Sequence, residues 1–137
     1  MPIKKDLKLD EYEISKFAYR ELHNFCLQYQ YKKQKLTEVR SKYNSPQVTG
    51  MPHGSGVGDP AGNAAMQAAS MARDIELIEK CAKAVSARDW EQIVLAVTRD
   101  VPWYYLRMLC NLETGEKKFN NERRYFYYLL AKEKNII

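Results

Sequence analysis

Residues 101–134 read VPWYYLRMLCNLETGEKKFNNERRYFYYLLAKEK, and this stretch decides the fold prediction. It predicts a short helix up to Cys110, a turn over residues 111–115, and a longer helix up to Lys134. Pro102 suits the start of a helix, and Gly115 is typical of a turn. Two helices joined by a short, glycine-containing turn can place the second helix in a DNA major groove. We therefore predict a helix-turn-helix.

Apolar residues at helical spacing predict the buried faces of this helix-turn-helix. They are Trp103, Leu106, Leu109 and Cys110 in the first helix, Leu112 in the turn, and Phe119, Phe126 and Leu130 with the stem of Arg123 in the second helix. We expect Tyr127 to be half-buried and Tyr128 to point outward.

The opposite face of the second helix is cationic and rich in amides. Lysine and arginine bind phosphates or guanine edges, and asparagine can pair with adenine. The predicted DNA-binding residues are Lys117, Lys118, Asn120, Asn121, Arg123, Arg124 and Tyr128, of which Asn120, Asn121 and Arg124 are expected to read bases. Two alternatives stay open: plain helical packing, and stacking of the interleaved aromatic residues on single-stranded bases.

The first 85 residues predict a long antiparallel helical hairpin over residues 10–85. Its first helix would span residues 10–43, because Leu22, Tyr29, Leu36 and Tyr43 recur every seven residues. Four glycines and two prolines then predict a loop over residues 44–58. Asp59 and Pro60 are a suitable N-cap and first residue for the second helix. Such packing seams also favour a homodimer.

A third, short helix is predicted after the hairpin. Ser86 and Asp89 resemble a capping box, and Trp90, Ile93, Val94 and Val97 are spaced as on an amphipathic helix. No segment alternates as a strand would, so the predicted fold class is all-α. We predict two parts: a hairpin arm in residues 1–85 and the helix-turn-helix module in residues 86–137.

The charge pattern favours a polyanionic partner. The 137 residues carry a net charge of +5. Positive charge is concentrated in residues 1–43 and 99–137, while residues 44–98 are slightly acidic. The basic run over residues 32–35 offers a second phosphate contact, although a solvated helix face explains it better.

Other function classes find little support in the sequence. Cys26, Cys81 and Cys110 form no CxxC pair, which predicts free, mostly buried thiols in a reducing compartment. His23 and His53 have no metal-binding spacing, and the glycine loop lacks the Lys-Ser/Thr ending of a P-loop. We expect no signal peptide, membrane span, metal, cofactor or enzymatic activity, and a location in the cytoplasm of a bacterial cell.

Two segments resemble a family of small proteins from phages and prophages of Gram-positive bacteria. The first comprises Ser45-Pro46 and residues 50–65, GMPHGSGVGDPAGNAA; the second includes residues 121–130, NERRYFYYLL. The similarity spans roughly residues 10–134. It extends to late-gene transcription activators of the RinA/ArpU type, which carry a C-terminal helix-turn-helix similar to region 4 of bacterial sigma factors. The resemblance implies DNA contacts by Arg123 and Arg124, beside Lys117, Lys118 and Asn121.

The sequence thus predicts a sequence-specific, DNA-binding transcription regulator of phage or prophage origin, with double-stranded DNA as its partner. The alternative is a phage protein-interaction module that binds and modulates a host protein, such as RNA polymerase or a defence enzyme.

Overall fold

The computed structural model describes residues 7–44 and 60–137, and every regular element in these two ranges is helical. A 3₁₀ turn at Asp10–Tyr12 precedes six α-helices. They are α1 Lys16–Leu27, α2 Tyr29–Asn44, α3 Pro60–Val85, α4 Trp90–Arg99, α5 Trp103–Leu109 and α6 Glu116–Glu133. The predicted all-α class is confirmed. Apart from Asn44, which ends α2, the glycine- and proline-rich loop over 44–58 lies outside the described residues, as do His53 and Asp59.

The prediction of one continuous helix over residues 10–43 is wrong. Glu13 adopts a left-handed conformation, with φ of 58°, and ends the 3₁₀ turn. Ser15 then caps α1, because its Oγ accepts a hydrogen bond from the Ala18 N–H at 3.1 Å. At Gln28 the N–H bonds back to the Phe25 carbonyl, a 3₁₀-type contact that separates α1 from α2. The heptad pattern carries no information about such local caps.

Antiparallel packing joins α2 to α3. Lys32 pairs with Asp74 at 2.9 Å, while Tyr29, earlier on α2, donates to Glu79, later on α3, at 2.6 Å. The buried residues of this seam include Leu36 and Ile75. Of the two helices in the first half of the predicted hairpin, α2 packs along α3, whereas α1 packs mainly against α4 and α6.

The buried face of α6 agrees with its sequence pattern. Phe119, Phe126 and Leu130 are buried, and Leu112 closes the corner below α5. Tyr127 and Leu109 depart from the predictions. Tyr127 is fully buried rather than half-buried, because it packs edge-on against Tyr19 of α1. Leu109, predicted to be core, is the last residue of α5 and is 64% exposed; the buried side chains here are Leu106 and Leu112.

One hydrophobic core runs through the described residues. It combines side chains from all six helices, on both sides of the predicted division at residue 85. The division itself stays a prediction. Cys26 and Cys81 are free, buried thiols inside this core, and Cys110 is free and half-buried. None of the described helices combines the length and apolar character needed to cross a bilayer.

Candidate nucleic-acid interface

The turn before α6 is held in place by α5. The Trp103 indole Nε1 donates to the Thr114 carbonyl at 2.8 Å, and Arg107 Nη1 donates to the Glu113 carbonyl at 3.0 Å. The left-handed residue of this turn is Asn111, with φ of 58°, whereas Gly115 has an ordinary φ of −65°. These contacts fix the direction in which α6 leaves the turn.

The outer face of the first two turns of α6 forms a polar, cationic surface. We call it the α6 ridge; it comprises Lys117, Asn120, Asn121 and Arg124. Together with Glu116, these side chains line a shallow depression of about 460 Å³. Lys117 and Asn121 are exposed, and Asn120 and Arg124 are half-buried. Four of the predicted DNA-binding residues therefore lie side by side on one surface.

Arg124 connects the ridge to the N-terminal segment. Its Nε donates to the Lys8 carbonyl at 3.1 Å, and its Nη1 donates to Asn121 Oδ1 at 2.8 Å. The described part of the N-terminal segment, from residue 7 onward, therefore borders the ridge at Arg124, and Lys117 and Asn121 are exposed. A guanidinium group has further N–H donors beyond these two.

The other three predicted residues lie off the ridge. Lys118 is exposed on its flank. Arg123 is directed inward: its Nη1 donates to Asn120 Oδ1 at 3.3 Å, and its Nε is buried without a hydrogen-bond partner among the described residues. Tyr128 stacks on Tyr12 at a centroid distance of 4.9 Å. Tyr128 is therefore half-buried against the N-terminal turn rather than fully outward.

A cluster of charged and polar side chains lies between α4 and α6, and sequence reasoning missed it. We call it the Asp89–Glu122 cluster; its members are Arg88, Asp89, Thr114 and Glu122. The Thr114 hydroxyl donates to the buried Asp89 carboxylate, and Arg88 Nη2 donates to Thr114 Oγ1 at 2.8 Å. The Glu122 carboxyl is within hydrogen-bonding reach of Asp89.

The pKa values of the two carboxyl groups in this cluster are shifted in opposite directions. Burial raises the pKa of Glu122 to about 7, and the charge of Asp89 adds to this effect. Burial also acts to raise the pKa of Asp89, but hydrogen bonds from Thr114 and Arg88 outweigh it and hold that pKa below its ordinary value. The sequence predicts only a capping-box role for Asp89. Of that box, only the Asp89 N–H to Ser86 Oγ bond forms, at 2.9 Å.

A third surface is apolar and lies on α5. Four of its side chains are between 50% and 77% exposed: Tyr104, Tyr105, Met108 and Leu109. Contiguous exposed apolar side chains of this kind mark interaction surfaces in many proteins.

Chemical sites of other kinds are sparse in the described part of the chain. His23 Nε2 lies 2.8 Å from Asp100 Oδ1 and the ring stacks on Tyr19. No group of three or more metal-liganding side chains occurs in residues 7–44 and 60–137. No protein-family model, curated protein or solved structure matches this chain.

Proposed function

We propose that this chain is a DNA-binding transcription regulator of phage or prophage origin, and that the α6 ridge enters the major groove of its target. The observation that carries the proposal is the ridge itself. Lys117, Asn121 and Arg124 lie together on the exposed start of a helix that follows a short, fixed turn. The start of the second helix of a helix-turn-helix is the part that reaches base edges.

The side chains of the ridge suit both phosphate binding and the reading of base edges. Lys117 and the flanking Lys118 are exposed cations that can bind backbone phosphates, which supply most of the affinity. Asn120, Asn121 and Arg124 carry the amide and guanidinium groups that read adenine and guanine edges. Glu116, an anionic side chain that lines the same depression, can accept a hydrogen bond from a cytosine amino group.

In this proposal Arg123 and Tyr128 have supporting roles, and Arg124 has a second role besides reading bases. Arg123 orients Asn120 through its hydrogen bond to Oδ1 and does not touch DNA. Tyr128, stacked on Tyr12, holds the N-terminal segment beside the ridge. Arg124 helps to hold the N-terminal segment, because it donates to the Lys8 carbonyl, and its remaining N–H donors are available to DNA.

The salt dependence of duplex binding tests this function. Fluorescence anisotropy with a short labelled duplex should show an affinity that falls steeply as salt rises, with a log–log slope of about −0.9 per neutralised phosphate. Lys117→Ala should reduce the magnitude of that slope by about 1, and Arg124→Ala should weaken binding without unfolding the chain. Arg73→Ala, an exposed cation on α3, is the matched control and should leave the slope unchanged. Absence of binding at low salt, or equal slopes in all four proteins, would contradict the proposal.

The apolar surface on α5, formed by Tyr104, Tyr105, Met108 and Leu109, favours a second candidate function. In this function the chain binds a host protein such as RNA polymerase. The exposed side chains of this surface include Met108 and Leu109, which have no role in duplex binding under the first proposal. Leu109→Ser should abolish capture of purified bacterial RNA polymerase and leave duplex binding intact. Capture of the polymerase that is equal in wild type and Leu109→Ser would remove this candidate.

A further inference from the structure

The Asp89–Glu122 cluster joins three segments that together determine where the α6 ridge lies. Asp89 is the N-cap residue of α4, Thr114 is in the turn before α6, and Glu122 is on α6 itself. The Asp89 carboxylate accepts from Thr114 and from Arg88 Nε, the latter at 3.3 Å. This leaves the contact between Asp89 and Glu122 as the direct polar link from α4 to α6 within the cluster.

That link places two acidic groups against each other. The charged groups that face the Glu122 carboxyl are Asp89 and Arg88 from the segment before α4, and Lys118 on α6. Glu122 Oε2 is buried and accepts no hydrogen bond from any described residue. A buried carboxylate oxygen without a donor is costly, and two carboxylates in contact repel each other. A proton on Glu122 removes both costs, because the acid can then donate to Asp89.

We propose that Asp89 and Glu122 share a single proton, that this proton ties α6 to the start of α4, and that its loss loosens the α6 ridge. Both residues are positioning residues rather than DNA contacts. We call this shared-proton contact between Asp89 and Glu122 the anchor. The anchor needs no ligand, whereas its effect on DNA binding rests on the function proposed above.

The direction of the pH effect follows from the two carboxyl groups. Burial raises the pKa of Glu122 from 4.5 to about 7, so the folded chain holds a proton there that the unfolded chain has released. The stability that this proton contributes is complete below pH 4.5 and is lost as pH rises through about 7. The lowered pKa of Asp89 acts only under more acidic conditions, where stability falls as pH decreases. Above the acidic range in which Asp89 takes up a proton, a rise in pH therefore weakens the anchor.

Thermal unfolding of the full chain tests the anchor directly. The Tm of the wild type should fall by about 3 °C between mildly acidic and mildly alkaline pH. Glu122→Gln keeps a donor for Asp89 but cannot titrate, so its Tm should fall less over the same range. The comparison is between proteins rather than between pH values, because every other titrating group is common to both proteins. Glu113→Gln, an exposed matched control, should follow the wild type. Identical pH profiles for wild type and Glu122→Gln would overturn the proposal.

A second measurement keeps the proposal testable if Glu122→Gln does not fold. Carbon-13 NMR of the side-chain carboxyl groups in the wild type gives the midpoint of Glu122 directly. A midpoint near 7 supports the shared proton, and a midpoint at or below 4.5 overturns it.

Duplex binding at constant salt separates the anchor from the function. If both proposals hold, the wild type loses affinity as pH rises through 7 and Glu122→Gln does not. A chain that binds no DNA at any pH, yet shows the expected difference in Tm profiles, would refute the proposed function and support the anchor. Equal Tm profiles would refute the anchor whatever the DNA result.

Discussion

Phe119 is the side chain that fixes the first turn of α6 to the core. Its exposed fraction is 1%, and it lies one helical turn before the half-buried Glu122. Phe119→Ala should lower the free energy of unfolding by about 3–5 kcal/mol, because it removes a buried aromatic ring and leaves a cavity. Urea denaturation measures this loss.

Leu109→Ala is the comparison variant for Phe119→Ala. Leu109 is apolar but 64% exposed, so its truncation should change the free energy of unfolding by less than about 0.5 kcal/mol. Comparable losses in the two variants would show that burial has been assigned to the wrong side chain.

Among the elements, the turn between α5 and α6 depends on the left-handed conformation of Asn111. That conformation lets the Leu112 N–H reach the Leu106 carbonyl at 3.2 Å. Left-handed backbone costs a β-branched residue roughly 1–2 kcal/mol, while glycine adopts it freely. Asn111→Val should therefore destabilise the chain by about this amount, and Asn111→Gly should preserve or slightly raise its stability. Equal stabilities of the two variants by urea denaturation would contradict this description of the turn.

The elements also show what the sequence could and could not predict. The bounds of α6 and the burial of Phe119, Phe126 and Leu130 followed from apolar spacing, which is a property of one helix. The break at Gln28 and the exposure of Leu109 did not, because they depend on local hydrogen bonds and on the space that neighbouring elements leave. For the same reason the inward direction of Arg123 and the Asp89–Glu122 contact, formed by residues far apart in sequence, were not predictable.

At the scale of the whole molecule, the shared core makes the two predicted parts depend on each other. Tyr127 of α6 packs against Tyr19 of α1, and Lys80 of α3 pairs with Glu133 of α6 at 3.1 Å. The full chain should therefore unfold in one cooperative thermal transition, followed by calorimetry. A fragment of residues 86–137 should lack dispersed amide NMR signals, because it loses the α1 and α3 side of its core. Two separate transitions, or a folded fragment, would show that the parts are independent.

The homodimer stays a prediction at this scale. At Leu36 and Ile75 the seam between α2 and α3 is closed within one chain, since both side chains are buried without a second copy. A dimer would therefore not use this part of the seam. Light scattering after size exclusion determines the stoichiometry, and a monomer would contradict the prediction.

In the function proposed above, the start of α6 is the part of this protein that contacts DNA. An amide NMR titration of the full chain with a short duplex at low salt examines this contact residue by residue. The largest chemical-shift changes should fall on residues 116–124, diminish as salt rises, and be absent from the exposed face of α5. A titration without shifts, or with shifts confined to α5, would contradict the proposed contact.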